Sequence, residues 1–283
     1  MSVQSSRPGP SSESGQAGRP GAGSASGPIK RTAPLRTGRS SWATWFPAAK
    51  SRPFSRLRLF CFPHAGGSAA VYHQWHLGLS PAIEVRAVQY PGRADRMSEP
   101  LISDDARMVS LVTEAMGALL DRPVALFGHS MGAVLAYETA RALRELGTPP
   151  VHLFVSGRRA PQIPLREEPV AHADDETFMR SLRALGGTDA DVLDDPQIRE
   201  LTFPYVRNDF DLIESYVHRD GPPLACPVTV LAGDEDAQVT PEDVERWREV
   251  TTGEVTVRFL PGDHFYLVPR QAEVLAEIDR ALD

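Results

Sequence analysis

Six short apolar runs punctuate the chain, at residues 57–62, 83–90, 124–127, 151–156, 227–233 and 255–260. Between most of them, apolar positions recur at helical spacing, over 69–79, 104–120 and 131–146, and again over 241–250 and 269–282. Ser103 is the expected cap of the second of these helices, and Gly147 closes the third. Strand alternating with helix predicts an α/β fold with a mainly parallel sheet wound on both faces. The alternation fails once, between the fourth and fifth strands. Residues 160–224 carry helical patches around 175–185, 196–203 and 205–217, too long a stretch for a plain connection and too patterned for disorder. A helical lid inserted over the active edge of the sheet is expected there.

The first 40 residues have a different texture. Ser, Gly, Pro, Ala and Arg dominate, with almost no large apolar side chains, so ordering entropy cannot be offset by burial. A disordered N-terminal extension over 1–40 is predicted, with a docking tail as the functional alternative. Residues 41–283 form the folded domain. Trp42, Trp45 and Phe46 are the first sticky side chains and are expected to pack the end of the extension onto it.

Composition narrows the class. The 283 residues suffice for one α/β domain with an insertion. Hydrophobic and charged contents of 41% and 24% are those of an ordinary soluble protein. A net charge of −7 with no basic stripe argues against nucleic-acid binding, and an acidic partner would have to dock on a local basic patch. Cys61 and Cys226 sit in apolar surroundings and are expected as reduced core cysteines. No 18-residue apolar stretch or signal-peptide core occurs, so no membrane span and a cytoplasmic location are expected. No P-loop or His/Cys ligand cluster is present, which predicts neither a nucleotide nor a metal or other cofactor.

The third apolar run breaks into Gly128–His129–Ser130–Met131–Gly132 and resumes at helical spacing. Strand, sharp turn carrying a serine, then helix is the pattern of a nucleophile elbow. Glycines two residues to either side remove side chains that would collide with such a turn. A serine hydroxyl also needs a base, and the base an anion to fix its tautomer. Around an elbow these follow in the order serine, acid, histidine, on loops at the carboxyl ends of strands. His264 alone among the histidines follows the last strand, in Leu260–Pro261–Gly262–Asp263–His264–Phe265. His129 lies inside the elbow with its ring directed away from Ser130, and His64 is expected to shape its loop. His73, His76, His152, His172 and His218 read as surface or lid residues. Three carboxylates compete at the end of the fifth strand, Asp234, Glu235 and Asp236. Asp236 is preferred, three residues past Gly233 where the loop turns back. Asp234 is expected to cap the turn, and Asp263 is too close to His264 in sequence. For an oxyanion hole, the Met131 amide at the helix N-terminus is one donor. Pro63–His64–Ala65–Gly66–Gly67 supplies the other, with Ala65 first choice and Gly66 second.

Further motifs occur in matching order: Phe62–Pro63–His64–Ala65–Gly66–Gly67, Gln89–Tyr90–Pro91–Gly92–Arg93, Ser156–Gly157–Arg158–Arg159–Ala160–Pro161, Gly233–Asp234–Glu235–Asp236 and Gly262–Asp263–His264–Phe265–Tyr266–Leu267. Together with the elbow, over residues 42–283, they resemble the stand-alone type II thioesterases of modular polyketide and non-ribosomal peptide synthases. The resemblance implies an α/β-hydrolase fold with a mobile lid, a Ser130–Asp236–His264 triad, and an oxyanion hole from the Ala65 and Met131 amides. It also implies hydrolysis of acyl groups from the phosphopantetheine arm of carrier domains, an editing role in biosynthesis, and a monomer that needs no cofactor of its own. Arg158 and Arg159 could meet the arm's phosphate or a carrier's acidic face; salt bridges to the acidic lid are the equal alternative. Lid residues Phe178, Leu182, Leu185, Phe203, Tyr205, Phe210 and Tyr216 are expected mostly to pack the lid itself. A serine esterase acting on small soluble substrates, or a non-catalytic carrier-binding partner, are the rival readings.

Overall fold

A computed structural model describes residues 42–47, 50–186 and 195–283. The extension expected over 1–40, and part of the expected lid, lie outside the described residues. Six strands, β1 (Leu57–Phe62), β2 (Ile83–Ala87), β3 (Val124–His129), β4 (His152–Ser156), β5 (Val228–Gly233) and β6 (Val255–Leu260), form one sheet in the order β2-β1-β3-β4-β5-β6. Every neighbouring pair is parallel. This is the α/β-hydrolase arrangement.

Helices cover both faces because the inner strands are buried on both. On one face lie α3 (Asp105–Met116) and α4 (Met131–Glu145), packed through Met108, Val112, Val134 and Leu143. On the other lie α2 (Trp75–Gly78) and the C-terminal α8 (Gln271–Leu282), through Trp75, Val274 and Ile278. Trp45, from the short α1 (Trp42–Trp45), and Phe46 are buried, Phe46 edge-on to Phe60, while Trp42 stays partly exposed. Cys61 and Cys226 are both buried free thiols. No helix among the described residues is long and apolar enough to cross a membrane.

Register aligns the carboxyl ends of the strands. Phe62 sits opposite Gly128, His129 opposite Ser156, and Gly233 opposite Leu260. The chain runs from β1 outward to β2, then returns to β3 on the other side of β1, so the loops after β1 and β3 part at a topological switch point. The loops carrying Ala65, Ser130, Asp236 and His264 therefore leave one edge of the sheet.

Local departures from the expected pattern have identifiable causes. Residues 69–79 form a 3-10 turn, Ala69–Tyr72, and the single turn of α2. β2 stops at Ala87, and the Gln89 amide bonds the Trp45 carbonyl at 2.8 Å. The cap of α3 is Asp104 rather than Ser103; its carboxylate accepts the Arg107 amide at 2.6 Å. Residues 241–250 are α7 (Pro241–Glu245) followed by a 3-10 turn. In the insertion, α5 (Asp175–Leu185) is followed by α6 (Pro196–Glu214), a single helix that runs through Pro204 where two patches were expected. Proline removes one helical donor, and burial of Phe203 and Leu212 on either side holds the helix together. His152 is not a surface residue. It lies on β4, stacks on Phe154 and bonds Thr229 Oγ1 at 2.9 Å, and burial lowers its pKa to about 4.

Candidate active site

The elbow rests on backbone geometry that two glycines permit. Ser130 has φ 54° and ψ −117°, a positive-φ conformation rare for a residue with a side chain. Its amide donates to the Ser156 carbonyl at 2.8 Å, which pins the turn to β4. A Cβ on Gly128 would lie 2.0 Å from the Gly132 carbonyl oxygen, and one on Gly132 would lie 2.0 Å from that of Phe62. The collision avoided is thus between α4, β3 and β1. Gly132→Ala is expected to destabilise the fold by about 3 kcal/mol or more, since backbone at that separation must move; urea unfolding checks this, and an unchanged midpoint would contradict it.

The β5 and β6 loops are joined by backbone bonds. Asp234 N donates to Leu260 O and Glu235 N to Gly262 O, each at 3.0 Å, and the Asp234 carboxylate accepts the Gly262 amide at 2.9 Å. Asp234 therefore ties the two loops together. In the space they enclose, His264 Nδ1 lies 2.8 Å from Asp236 Oδ2, both residues buried. Asp236 Oδ1 accepts the Gln238 amide at 3.0 Å, which fixes the carboxylate. Glu235 is exposed, and Asp263 accepts the amide of Phe265 instead. With Nδ1 facing the carboxylate, Nε2 is the nitrogen left for proton exchange.

Ser130 and His264 line the same two cavities. The serine hydroxyl does not cap α4 and forms no hydrogen bond with any described residue. His129 and His64 pack beside His264 without a carboxylate partner. His129 Nδ1 bonds Ser156 Oγ at 2.9 Å, which in turn bonds the Tyr266 hydroxyl at 2.6 Å. Burial, with His264 and then His64 nearby, holds His129 well below the usual histidine range. Burial, then His264 and Arg93, brings His64 down to about 4. Both rings are neutral near pH 7 and leave His264 as the imidazole of this cluster set against an anion.

The β1 loop is fixed almost atom by atom. Phe62 O accepts from the Tyr72 hydroxyl at 2.9 Å and Pro63 O from the Tyr90 hydroxyl at 3.2 Å. His64 O accepts the Gly67 amide at 2.9 Å, and Gly67 O accepts from Arg93 at 3.2 Å. The Gly66 amide donates to Asp209 of α6 at 2.8 Å, so it is not available to a substrate oxygen. The Ala65 amide has no acceptor among the described residues. Met131 opens α4, where backbone amides have no helical partner. Tyr72, Tyr90, Arg93 and Asp209 were not singled out for this role from sequence. The run Gln89–Tyr90–Pro91–Gly92–Arg93 held two of them; Asp209 carried no local signal.

Two cavities meet at Ser130. One lies under α5 and α6 and is walled by Leu182, Leu185, Ile198, Phe203, Val206 and Phe210. The other is larger and is lined by Arg158, Arg159, Glu167, Glu168, Gln238 and Asp263 among others. The lid aromatics serve two purposes. Phe178 is fully buried between Phe203 and Phe210, and the latter two also face the apolar cavity. Tyr216 bonds Glu138 at 2.7 Å, away from that cavity. The two arginines differ as well. Arg159 is buried in an ion pair with Glu167, whereas the half-buried Arg158 guanidinium has no hydrogen bond or ion pair among the described residues. Burial, with Arg159 alongside, lowers the Arg158 pKa to about 10.

Sheet order, elbow and loop placement define an α/β-hydrolase with serine at the nucleophile position. The thioesterase-domain family model matches residues 57–282, and the chain belongs to that family: it is a thioester hydrolase. It is 40% identical to the gramicidin S biosynthesis protein GrsT of Aneurinibacillus migulanus over 232 residues, 82% of this chain and 91% of that one. Thioesterase PikA5 of Streptomyces venezuelae is 39% identical over 247 residues, 87% of this chain and 86% of the relative. Among solved structures, the type II thioesterase BorB from the borrelidin biosynthetic cluster superposes with TM-score 0.79 at 38% identity, covering 84% of this chain and 98% of BorB.

Proposed function

We propose that this enzyme removes acyl groups from the phosphopantetheine arm of carrier domains in a modular polyketide or non-ribosomal peptide synthase, clearing stalled or aberrant units. The observation that carries this reading is the meeting at Ser130 of a cavity walled by lid apolar side chains and a second one that also carries charged groups, Arg158, Glu167, Glu168 and Asp263 among them. An acyl chain fits the first, and the amide-rich arm the second. The biosynthetic settings named for GrsT and BorB agree with it.

His264 Nε2 takes the Ser130 proton as the hydroxyl attacks the thioester carbonyl, and Asp236 stabilises the imidazolium. The Ala65 and Met131 amides hold the oxyanion, a pair of contacts worth about a hundredfold or more each in turnover. The C–S bond breaks, the arm's sulfur leaves with the proton from His264, and acyl-Ser130 remains. His264 then deprotonates water, which attacks the acyl-enzyme, and the free acid is released as Ser130 regains its proton. Arg158, whose guanidinium makes no direct hydrogen bond or ion pair among the described residues, receives anionic groups of the arm or of the carrier surface; Arg159 stays paired with Glu167.

The test compares one acyl group on three leaving groups: a carrier protein, N-acetylcysteamine and p-nitrophenol. At least tenfold higher kcat/KM is expected on the carrier than on either small molecule. Equal or better turnover of the small esters would replace this reading with a general esterase.

A further inference from the structure

We infer that Asp209, on the lid helix α6, is a positioning residue for the oxyanion hole, acting through the Gly66 amide. This rests on the assignment of Ala65 as an oxyanion donor. Asp209 is fully buried 143 residues from Gly66 in sequence, and its Oδ2 accepts the Gly66 N–H at 2.8 Å. Its partner is the buried Arg93, whose two terminal nitrogens engage the two carboxylate oxygens, the second at 2.7 Å. Arg93 also donates to Gly67 O, so the pair grips the loop on both sides of Gly66.

The consequence for Ala65 follows from peptide geometry. In a trans peptide the N–H points opposite to the C=O of the same unit. The His64 carbonyl is turned inward to the Gly67 amide, so the Ala65 amide of that unit points outward. Gly66 has φ +79°, a conformation glycine adopts freely, and without a tether the next unit could rotate. Asp209 supplies the tether and at the same time keeps the Gly66 amide from competing for the oxyanion. Neighbouring residues of α6 reinforce the grip. Val206 lies against Gly66, where a Cβ would come within 3.2 Å of it, and the Arg93 guanidinium sits 4.9 Å over the Tyr205 ring. Phe203, Val206 and Phe210 of the same helix wall the apolar cavity. Hence the helix that holds the acyl chain also sets the donor that stabilises its transition state.

Removing one charge of a buried pair can unfold a protein for reasons unrelated to the site, so the test uses two charge-free pairs. Arg93→Met/Asp209→Asn keeps an oxygen for the Gly66 amide; Arg93→Met/Asp209→Leu does not. Each is assayed for acyl-thioester hydrolysis and for binding of two alkyl ligands of equal length. One is a trifluoromethyl ketone, which adds to Ser130 as an oxyanionic hemiketal, and the other is a carbonyl-free analogue. The Leu double variant is expected to lose at least tenfold in kcat and in ketone affinity relative to the Asn double variant, with the analogue's affinity unchanged within twofold. Equal ketone affinity in the two variants, or parallel loss of both ligands, overturns the role of Asp209. If wild-type enzyme binds the ketone no more tightly than the analogue, the oxyanion assignment itself fails.

Discussion

Ser130→Ala is expected to reduce acyl-thioester hydrolysis by about ten-thousandfold or more, since loss of the nucleophile disables the serine, histidine and acid as one unit. The substitution removes a hydroxyl that makes no protein hydrogen bond among the described residues, and keeps a Cβ where one already fits. Folding should therefore be unaffected. An alkyl fluorophosphonate followed by intact-protein mass spectrometry supplies the check: wild-type chain gains one adduct, and the alanine variant none. A variant that still turned over substrate at a tenth of the native rate would remove Ser130 from the mechanism.

Asp236→Asn has the next largest expected effect, about a ten-thousandfold loss of kcat. The carboxylate oxygen that faces His264 Nδ1 at 2.8 Å would be replaced by an NH2 group, while the other oxygen keeps the Gln238 amide. An NH2 donates to Nδ1 and drives the ring proton onto Nε2, the nitrogen that must accept from Ser130. Geometry survives and the tautomer is wrong. Steady-state kinetics with melting temperature measured in parallel decide the matter. Activity within tenfold of native at unchanged stability would show that another carboxylate orients the imidazole, and Asp234 and Asp263 would be next in line.

Much of this framework was legible in sequence because buried parallel strands leave compact apolar runs. Leu57–Phe62 was readable to the residue on that ground, and so was Val255–Leu260, although as an edge strand it is only partly buried. Gly128 and Gly132 announced the elbow because nothing larger fits where they stand. Ends and breaks were less legible. Pro204 divided a helix on paper that packing keeps whole, and Ser103 and Asp104 are chemically equivalent caps that only backbone geometry separates. His152 looked polar and surface-bound because its partners, Phe154 and Thr229, declare themselves only when β5 lies beside β4. The Asp209–Arg93 pair spans 116 residues and leaves no local periodicity, so no reading of spacing could join its members. Sequence favours Ala65 over Gly66 without a local reason to separate them; in the structure the Gly66 amide is already taken by Asp209.

The positive φ at Ser130 has a cost of order 1–3 kcal/mol that the surrounding sheet and helix must bear. Glycine would relieve it. Endurance at high temperature and turnover thus favour different residues at this one position, and a chain bred only to survive heating would drift toward the inert choice.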